Sequence, residues 1–204
     1  MVKMYEMTPE DRTALGAKGR ERAEAEFGLE AYVARWDELG IQELGILRMK
    51  LGLSKMIKKI LLKGPLLSRS GYGEQSRFAL RSLRSRTDLF DIYVINTPWG
   101  NTGQIAGASE EKTFINFCTM KAAQHVKQGG TFDISLQVTI PNEFEKIAPV
   151  NIGYTAGIET TKIAPQWIQK INEMVDKVIV VSNHSKKVLE QTTYDMKDQH
   201  GNDL

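Results

Sequence analysis

Residues 57–86 constrain the fold more than any other stretch of the chain. They begin with the apolar run Ile60–Leu62, continue through a segment rich in Gly and Ser, and end in the periodic pattern of an amphipathic helix. That order predicts a buried β-strand, a loop and a helix. Gly71 and Gly73 are predicted to lie where the strand turns into the helix. Backbone N–H groups bind phosphate at such a junction, because glycine allows an anion to approach closely.

The chain after this stretch alternates between strand-like and helix-like patterns. This alternation predicts a doubly wound parallel sheet, with ligands bound beyond the carboxyl ends of the strands. Residues 178–181 form a continuous apolar run, which is typical of a fully buried strand. The arginines of the first helix, including Arg77, are interpreted as a solvated face. The predicted strands are 57–62, 90–95, 132–140, 150–154 and 178–181, and the predicted helices are 74–86, 109–127, 165–175 and 186–191.

The residues before the sheet are predicted to be helical and to form a separate segment. Thr8 is suited to cap a helix and Pro9 to occupy its first position, with two acidic residues following near the positive end of the dipole. The predicted helices are 12–27 and 29–39. The predicted divisions of the chain are a helical segment (1–40), a linker (41–56) and a Rossmann-like domain (57–204).

The composition is that of an ordinary globular protein and excludes few functions. The 204 residues include 27 basic and 25 acidic side chains, so the net charge of +2 gives no argument for nucleic-acid binding. The single cysteine, Cys118, excludes an internal disulfide framework and a cysteine-based metal site. No apolar run reaches the roughly 18 residues of a membrane span, and no signal peptide is evident, so the predicted location is the cytoplasm.

Two common phosphate-binding motifs fit the glycine-containing turn poorly. A P-loop requires a lysine directly after its last glycine, and none follows Gly71 or Gly73. The dinucleotide fingerprint GxGxxG is a near match, because residues 71–76 read GxGxxS. That fingerprint also needs an acidic residue at the end of the second strand, where Asn96 stands, whereas Asp91 lies at its start. NAD binding is therefore the less favoured alternative.

Two blocks of the sequence resemble the N-terminal domain of GT-B glycosyltransferases of the large retaining family. GPLLSRSGYGEQSRFALRSL is similar to the first strand, loop and helix in one bacterial and phage branch. NIGYTAGIETTKIAPQWIQKINEMVDKVIVVSNHSKKVLEQT is similar to a later block of the same domain. Gly157 and Val181 depart from that block, because the family has Trp and Pro at those positions.

The start of the chain, residues 7–39, resembles the helices that close GT-B chains of this family at their C-terminus. This order suggests the last helices of one glycosyltransferase followed by the first domain of another. The sequence lacks the family's donor-binding domain, with its basic pair and its glutamate. We therefore expect that the chain alone transfers no sugar.

The resemblance implies a site for a nucleotide sugar and a glycan acceptor. In this family the glycine loop closes over the diphosphate of a donor such as a UDP- or GDP-sugar, and the loop after an interior strand faces the acceptor cleft. Glu159 is the candidate to hydrogen-bond an acceptor hydroxyl, although an acid at a helix start explains it equally well. His184 is explained more simply as a cap or loop histidine, and Asn101–Gly103 is expected to border the cleft. The implied donor phosphate loop is Ser70, Gly71, Tyr72 and Gly73, and the implied acceptor cleft is Tyr154, Thr155, Glu159 and His184.

The resemblance implies no metal and no cofactor other than the nucleotide-sugar substrate. The basic stretch Lys50–Lys63 is compatible with peripheral membrane contact, and a strand with solvated lysines explains it more simply. Two other functions stay open. One is a non-catalytic α/β module that binds a phosphorylated ligand, and the other is a piece that pairs with a separately encoded donor domain.

Overall fold

The computed structural model of the protein describes residues 8–27 and 57–194. The first described element is helix α1, Pro9–Phe27. Thr8 caps it as predicted, because its Oγ1 accepts a hydrogen bond from the Asp11 N–H at 3.1 Å. The predicted helix 29–39 and the predicted linker 41–56 lie outside the described residues. No helix within the described ranges combines the length and the apolar character that a bilayer span requires.

The predicted α/β fold is confirmed by a sheet of five parallel strands in the order β2-β1-β3-β4-β5. The described residues divide into two compact units: 57–77 and 87–194 belong to one, and 8–27 and 78–86 belong to the other. The strands are β1 Lys58–Gly64, β2 Phe90–Asn96, β3 Ile134–Val138, β4 Val150–Thr155 and β5 Lys177–Val180. The helices are α2 Gly71–Arg84, α3 Glu110–Lys127, α4 Pro165–Met174 and α5 Asn183–Gln191, with a 3-10 turn at Pro141–Glu143.

The strand order places a topological switch point between β1 and β3. The chain leaves β1 for β2 on one side of the sheet and then continues from β3 to β5 on the other side. In doubly wound sheets the loops on the two sides of such a point diverge, and ligands bind between them at the carboxyl edge. The middle of the sheet is apolar, since Leu62, Leu136 and Ile152 are neighbours across β1, β3 and β4 and all are buried.

The prediction that residues 178–181 form a fully buried strand is wrong. Strand β5 lies at the edge of the sheet, and Val178, Ile179 and Val180 are only half-buried among the described residues. An apolar run indicates that both faces of a strand are covered, but it does not indicate how many strands lie beside it. A strand at the edge of the sheet and one in its middle can therefore have the same sequence pattern. The β3–β4 connection was not predicted either, because the chain crosses between these parallel strands through a 3-10 turn instead of a helix.

Two buried amide side chains hold the β3–β4 connection in place. The Asn151 Oδ1 atom accepts hydrogen bonds from Ser135 Oγ and from the backbone N–H groups of Ile147 and Ala148, at 2.8 to 3.1 Å. The Gln137 side chain donates to the Glu145 carbonyl at 2.6 Å and accepts from the Glu145 N–H at 3.0 Å. These bonds replace the internal hydrogen bonds that a crossover helix would supply.

Other residues of the block 151–192 also serve the fold. Gly153 lies against the ring of the buried Phe144, and a Cβ atom at this position would be 2.4 Å from that ring. Asp176 pairs with the backbone of Asn151, accepting its N–H at 2.7 Å and donating its own N–H to the Asn151 carbonyl at 2.8 Å. Ser182 caps α5 through the Ser185 N–H at 3.0 Å. Several residues of the block that resembles glycosyltransferases therefore stabilise the fold.

Candidate functional site

The predicted phosphate loop lies at the carboxyl end of β1. Strand β1 ends at Gly64, and helix α2 begins at Gly71 instead of the predicted Glu74. The helix starts earlier because Ser70 caps it: Ser70 Oγ accepts the Gly73 N–H at 3.0 Å, and the Ser70 carbonyl accepts the Glu74 N–H at 3.0 Å. Both glycines therefore belong to the first turn of α2.

The two glycines have different roles. A Cβ atom on Gly73 would lie 2.1 Å from the Ser68 carbonyl oxygen, so the close passage of the chain requires glycine there. Gly71 is exposed and has no heavy atom within 4 Å of the position of a Cβ atom. The N–H groups of Gly71 and Tyr72 make no hydrogen bond among the described residues, so these two groups are available to an anion.

Arg77 fixes the shape of the loop between β1 and α2. Its Nη1 atom donates to the carbonyl oxygens of Leu66 and Ser68 at 2.7 and 2.9 Å, and its guanidinium pairs with Glu74 at 2.7 Å. Arg77 is only 6% exposed, so the interpretation that it belongs to a solvated face is wrong. A buried guanidinium needs several acceptors, and the loop carbonyls supply them.

The loop after β2 is bound to the loop after β1. The Arg69 N–H donates to the Gly103 carbonyl at 2.8 Å, and the hydroxyl groups of Ser68 and Thr102 lie 2.6 Å apart. The Leu67 N–H donates to the Asn96 side chain at 2.9 Å. The structure thus places Thr102 and Gly103, from the predicted border segment, against Ser68 and Arg69, just before the predicted phosphate loop.

Tyr72 joins the start of α2 to the end of β4, and sequence reasoning did not identify this link. Its hydroxyl donates to the Ala156 carbonyl at 2.8 Å and accepts from the Ala156 N–H at 3.0 Å. Thr155 Oγ1 lies 3.0 Å from the same hydroxyl and donates to it, because the tyrosine proton is already used. The Tyr72 ring also packs against Trp99, with ring centroids 4.4 Å apart and the ring planes tilted by 35°.

The four predicted acceptor residues do not share one environment. Thr155 is buried against the Tyr72 hydroxyl. Tyr154 is buried too, and its burial raises the pKa of its phenol. Glu159 and His184 are exposed, and His184 Nε2 lies 3.2 Å from the carbonyl oxygen of Thr160. The structure thus brings Tyr72 together with Thr155, and His184 together with the loop that carries Glu159.

The loop after β4 is anchored on both sides of Glu159. Ile158 and Ile163 are buried and pack with Val188 of α5 in one hydrophobic cluster. The backbone between them therefore has a defined path, and Glu159 lies on it as an exposed carboxylate. Glu159 thus lies at the carboxyl edge of the sheet, the edge at which doubly wound sheets bind ligands.

The start of α2 has the electrostatic character of an anion site. The N-terminus of α2 carries the positive end of a helix dipole. The residues described by the structure contain no group of three or more His, Cys, Asp or Glu side chains that could hold a metal. Strand β2 ends at Asn96, whereas Asp91 lies near its start, where its carboxylate contacts the Lys121 ammonium.

Comparisons with protein-family models, with curated proteins and with solved structures find no match for the chain. The glycosyltransferase resemblance, including that of residues 7–39, therefore stays a prediction from the sequence.

Proposed function

We propose that the α/β unit is the acceptor-side domain of a GT-B glycosyltransferase, which transfers a sugar from a nucleotide sugar to a glycan. The observation that carries the proposal is the open start of α2. Gly71 is exposed there, and the N–H groups of Gly71 and Tyr72 have no partner among the described residues. This helix start follows β1, beside the switch point of the sheet.

The chemistry of sugar transfer matches an open helix start. The nucleoside diphosphate leaves with increasing negative charge as the glycosidic bond breaks. Free N–H groups and the helix dipole of α2 stabilise such a charge. The acceptor would bind along the loop after β4, which carries Glu159 and is tied to α2 through Tyr72. In GT-B enzymes a second domain holds the nucleoside, so we expect this unit to bind a nucleotide sugar weakly.

A non-catalytic module that binds a phosphorylated ligand is the second candidate. The same two N–H groups of Gly71 and Tyr72 suit any phosphate, whatever is attached to it. The two functions differ in whether the sugar and the nucleoside contribute to binding. The affinities for pyrophosphate and for intact nucleotide sugars therefore distinguish them.

The test is a titration of the full chain with UDP, GDP, a UDP-sugar, a GDP-sugar and pyrophosphate, followed by NMR. Gly71→Asp places a carboxylate at the first position of α2, where it favours the helix dipole but repels a phosphate. Gly71→Asn is the control, because it has the same shape without the charge. We expect Gly71→Asp to unfold no more easily than Gly71→Asn and to bind the nucleotide sugar about tenfold more weakly.

Three outcomes are informative. Tighter binding of a nucleotide sugar than of pyrophosphate, with the predicted difference between the two Gly71 variants, supports the proposal. Equal binding of pyrophosphate and nucleotide sugars supports the non-catalytic module instead. If none of the five compounds binds saturably, or if the Asp and Asn variants bind equally, the start of α2 is not a phosphate site.

A further inference from the structure

A groove of about 380 Å³ lies at the opposite edge of the sheet, where β1 and β2 begin. Its walls are the first residues of both strands and one side of α3. The volume falls near the lower end of the roughly 300–1,000 Å³ that small-molecule sites occupy. The glycine turn follows the other end of β1, so the groove is separate from the candidate site described above.

The rim of the groove exposes two large apolar side chains from different elements. Phe117 of α3 is 60% exposed and Ile57, just before β1, is 53% exposed. The floor contains the buried side chains Phe90 and Cys118. Single exposed apolar residues are common on protein surfaces, but these two flank one concavity. An aromatic ligand that covers both would remove apolar surface from water.

Two of the three charged residues in the groove neutralise each other. The Lys121 ammonium contacts Asp91 Oδ1, and the other carboxylate oxygen of Asp91 accepts a hydrogen bond from the Tyr93 hydroxyl at 2.9 Å. The Lys121 ammonium also lies 4.2 Å from the centre of the Tyr93 ring. Both members of this pair are therefore engaged within the protein and are poorly suited to bind a ligand charge.

Lys59 is the third charged residue, and its charge is available. Its backbone is held by Asp133, which accepts the Lys59 N–H at 2.8 Å and donates its own N–H to the Lys59 carbonyl at 2.9 Å. Its side-chain ammonium has no ion-pair partner among the described residues. The groove thus combines an aromatic and aliphatic surface with one positive charge on a fixed backbone.

We propose that this groove binds a small aromatic monoanion, whose ring lies between Phe117 and Ile57 and whose carboxylate pairs with Lys59. The positive charge of Lys59 favours an anion over a neutral ligand. The small volume of the groove favours a small molecule over a protein partner, since protein interfaces are larger and less concave. This inference does not depend on the proposed function.

The experiment uses the full chain and two probes of the same shape, 2-naphthoate and its neutral amide, 2-naphthamide. We expect naphthoate to bind one site with a Kd of about 1 mM or tighter, as its size allows. Naphthamide should bind about two- to fivefold more weakly, which is the effect of one partly exposed ion pair. Lys59→Gln should abolish this difference between the probes, whereas Lys127→Gln, at the exposed end of α3, should preserve it.

A second pair of variants tests the apolar rim. Phe117→Ser should weaken naphthoate binding at least about fivefold, because it removes a ring that would be covered. Met120→Ser is the control, since Met120 is 74% exposed on the same helix but does not line the groove. All four positions are exposed, so the variants should fold. The proposal is overturned by no saturable binding at about 10 mM naphthoate, by equal affinity for the two probes, or by equal effects of Phe117→Ser and Met120→Ser.

Discussion

The hydroxyl group of Tyr72 is predicted to stabilise the fold by joining α2 to the end of β4. The change Tyr72→Phe keeps the ring on Trp99 and removes only this hydroxyl, which contacts Thr155 and both backbone groups of Ala156. Thr155 is fully buried, so its hydroxyl would lose its partner without reaching water. An unsatisfied buried polar group costs about 1–3 kcal/mol. Ala156 is only half-buried and its groups can turn to water, so the expected loss is about 2 kcal/mol.

The free energy of unfolding is measured by urea denaturation of wild type, both single variants and the double variant Tyr72→Phe/Thr155→Val. Because the second change removes the orphaned hydroxyl, the double variant should be more stable than the sum of the two losses predicts, by about 1 kcal/mol. Tyr194→Phe is the control, since Tyr194 is an exposed residue whose hydroxyl makes one hydrogen bond, to the Ile163 carbonyl at 2.6 Å. It should cost about 0.5–1 kcal/mol. Strict additivity, or a loss in Tyr72→Phe no larger than in Tyr194→Phe, would refute this account of the link.

Two further predictions concern stability. Gly73→Ala should lower the free energy of unfolding by about 1–3 kcal/mol or more, because its Cβ meets the Ser68 carbonyl. Gly71→Ala should leave this free energy unchanged or raise it by up to about 1 kcal/mol. Equal effects of the two variants in urea denaturation would contradict the assignment of different roles to the two glycines. Burial, together with the hydrogen bond and charge of Asp91, raises the pKa of Tyr93 to about 12 from its ordinary value of 10.0. The folded state thus keeps this proton up to a higher pH than the unfolded state does. The contribution of the protonated phenol to the free energy of unfolding is therefore complete below pH 10 and is lost as the pH rises to about 12. Tyr93→Phe should therefore show a smaller fall in the free energy of unfolding across this interval, and an unchanged fall would contradict the shift.

The arrangement of strands was predictable because each has a local signature in the sequence. All five predicted strands are present, and the alternation with helices indicated their parallel direction. The position of β5 was not predictable, because a run of Val and Ile looks the same in the middle of a sheet and at its edge. The β3–β4 crossover was missed because it is held by Gln137 and Asn151, whose bonds reach across the connection and have no periodic pattern.

The candidate site was predictable only in its location. The glycines marked the strand-to-helix turn, because that feature depends on neighbouring residues. The link from Tyr72 to Thr155 and Ala156 joins residues more than 80 positions apart, so no local sequence pattern predicts it. The burial of Arg77 was not predictable either. Its acceptors are backbone carbonyl groups of the loop, and because every residue type has a carbonyl group, the sequence does not mark them.

The sequence blocks that resemble glycosyltransferases contain two kinds of residue, and they carry different weight as evidence of function. Gly73 and Gly153 avoid steric overlap with neighbouring groups, and Asn151 satisfies buried backbone groups, so the fold alone explains their identities. Gly71 is different, because a side chain would fit there and the backbone does not require glycine. Glu159 is also different, because it is exposed and makes no hydrogen bond among the described residues. Substitutions at Gly71 and Glu159 therefore test the proposed ligand binding directly, whereas loss of binding at the other three positions would report the loss of the fold.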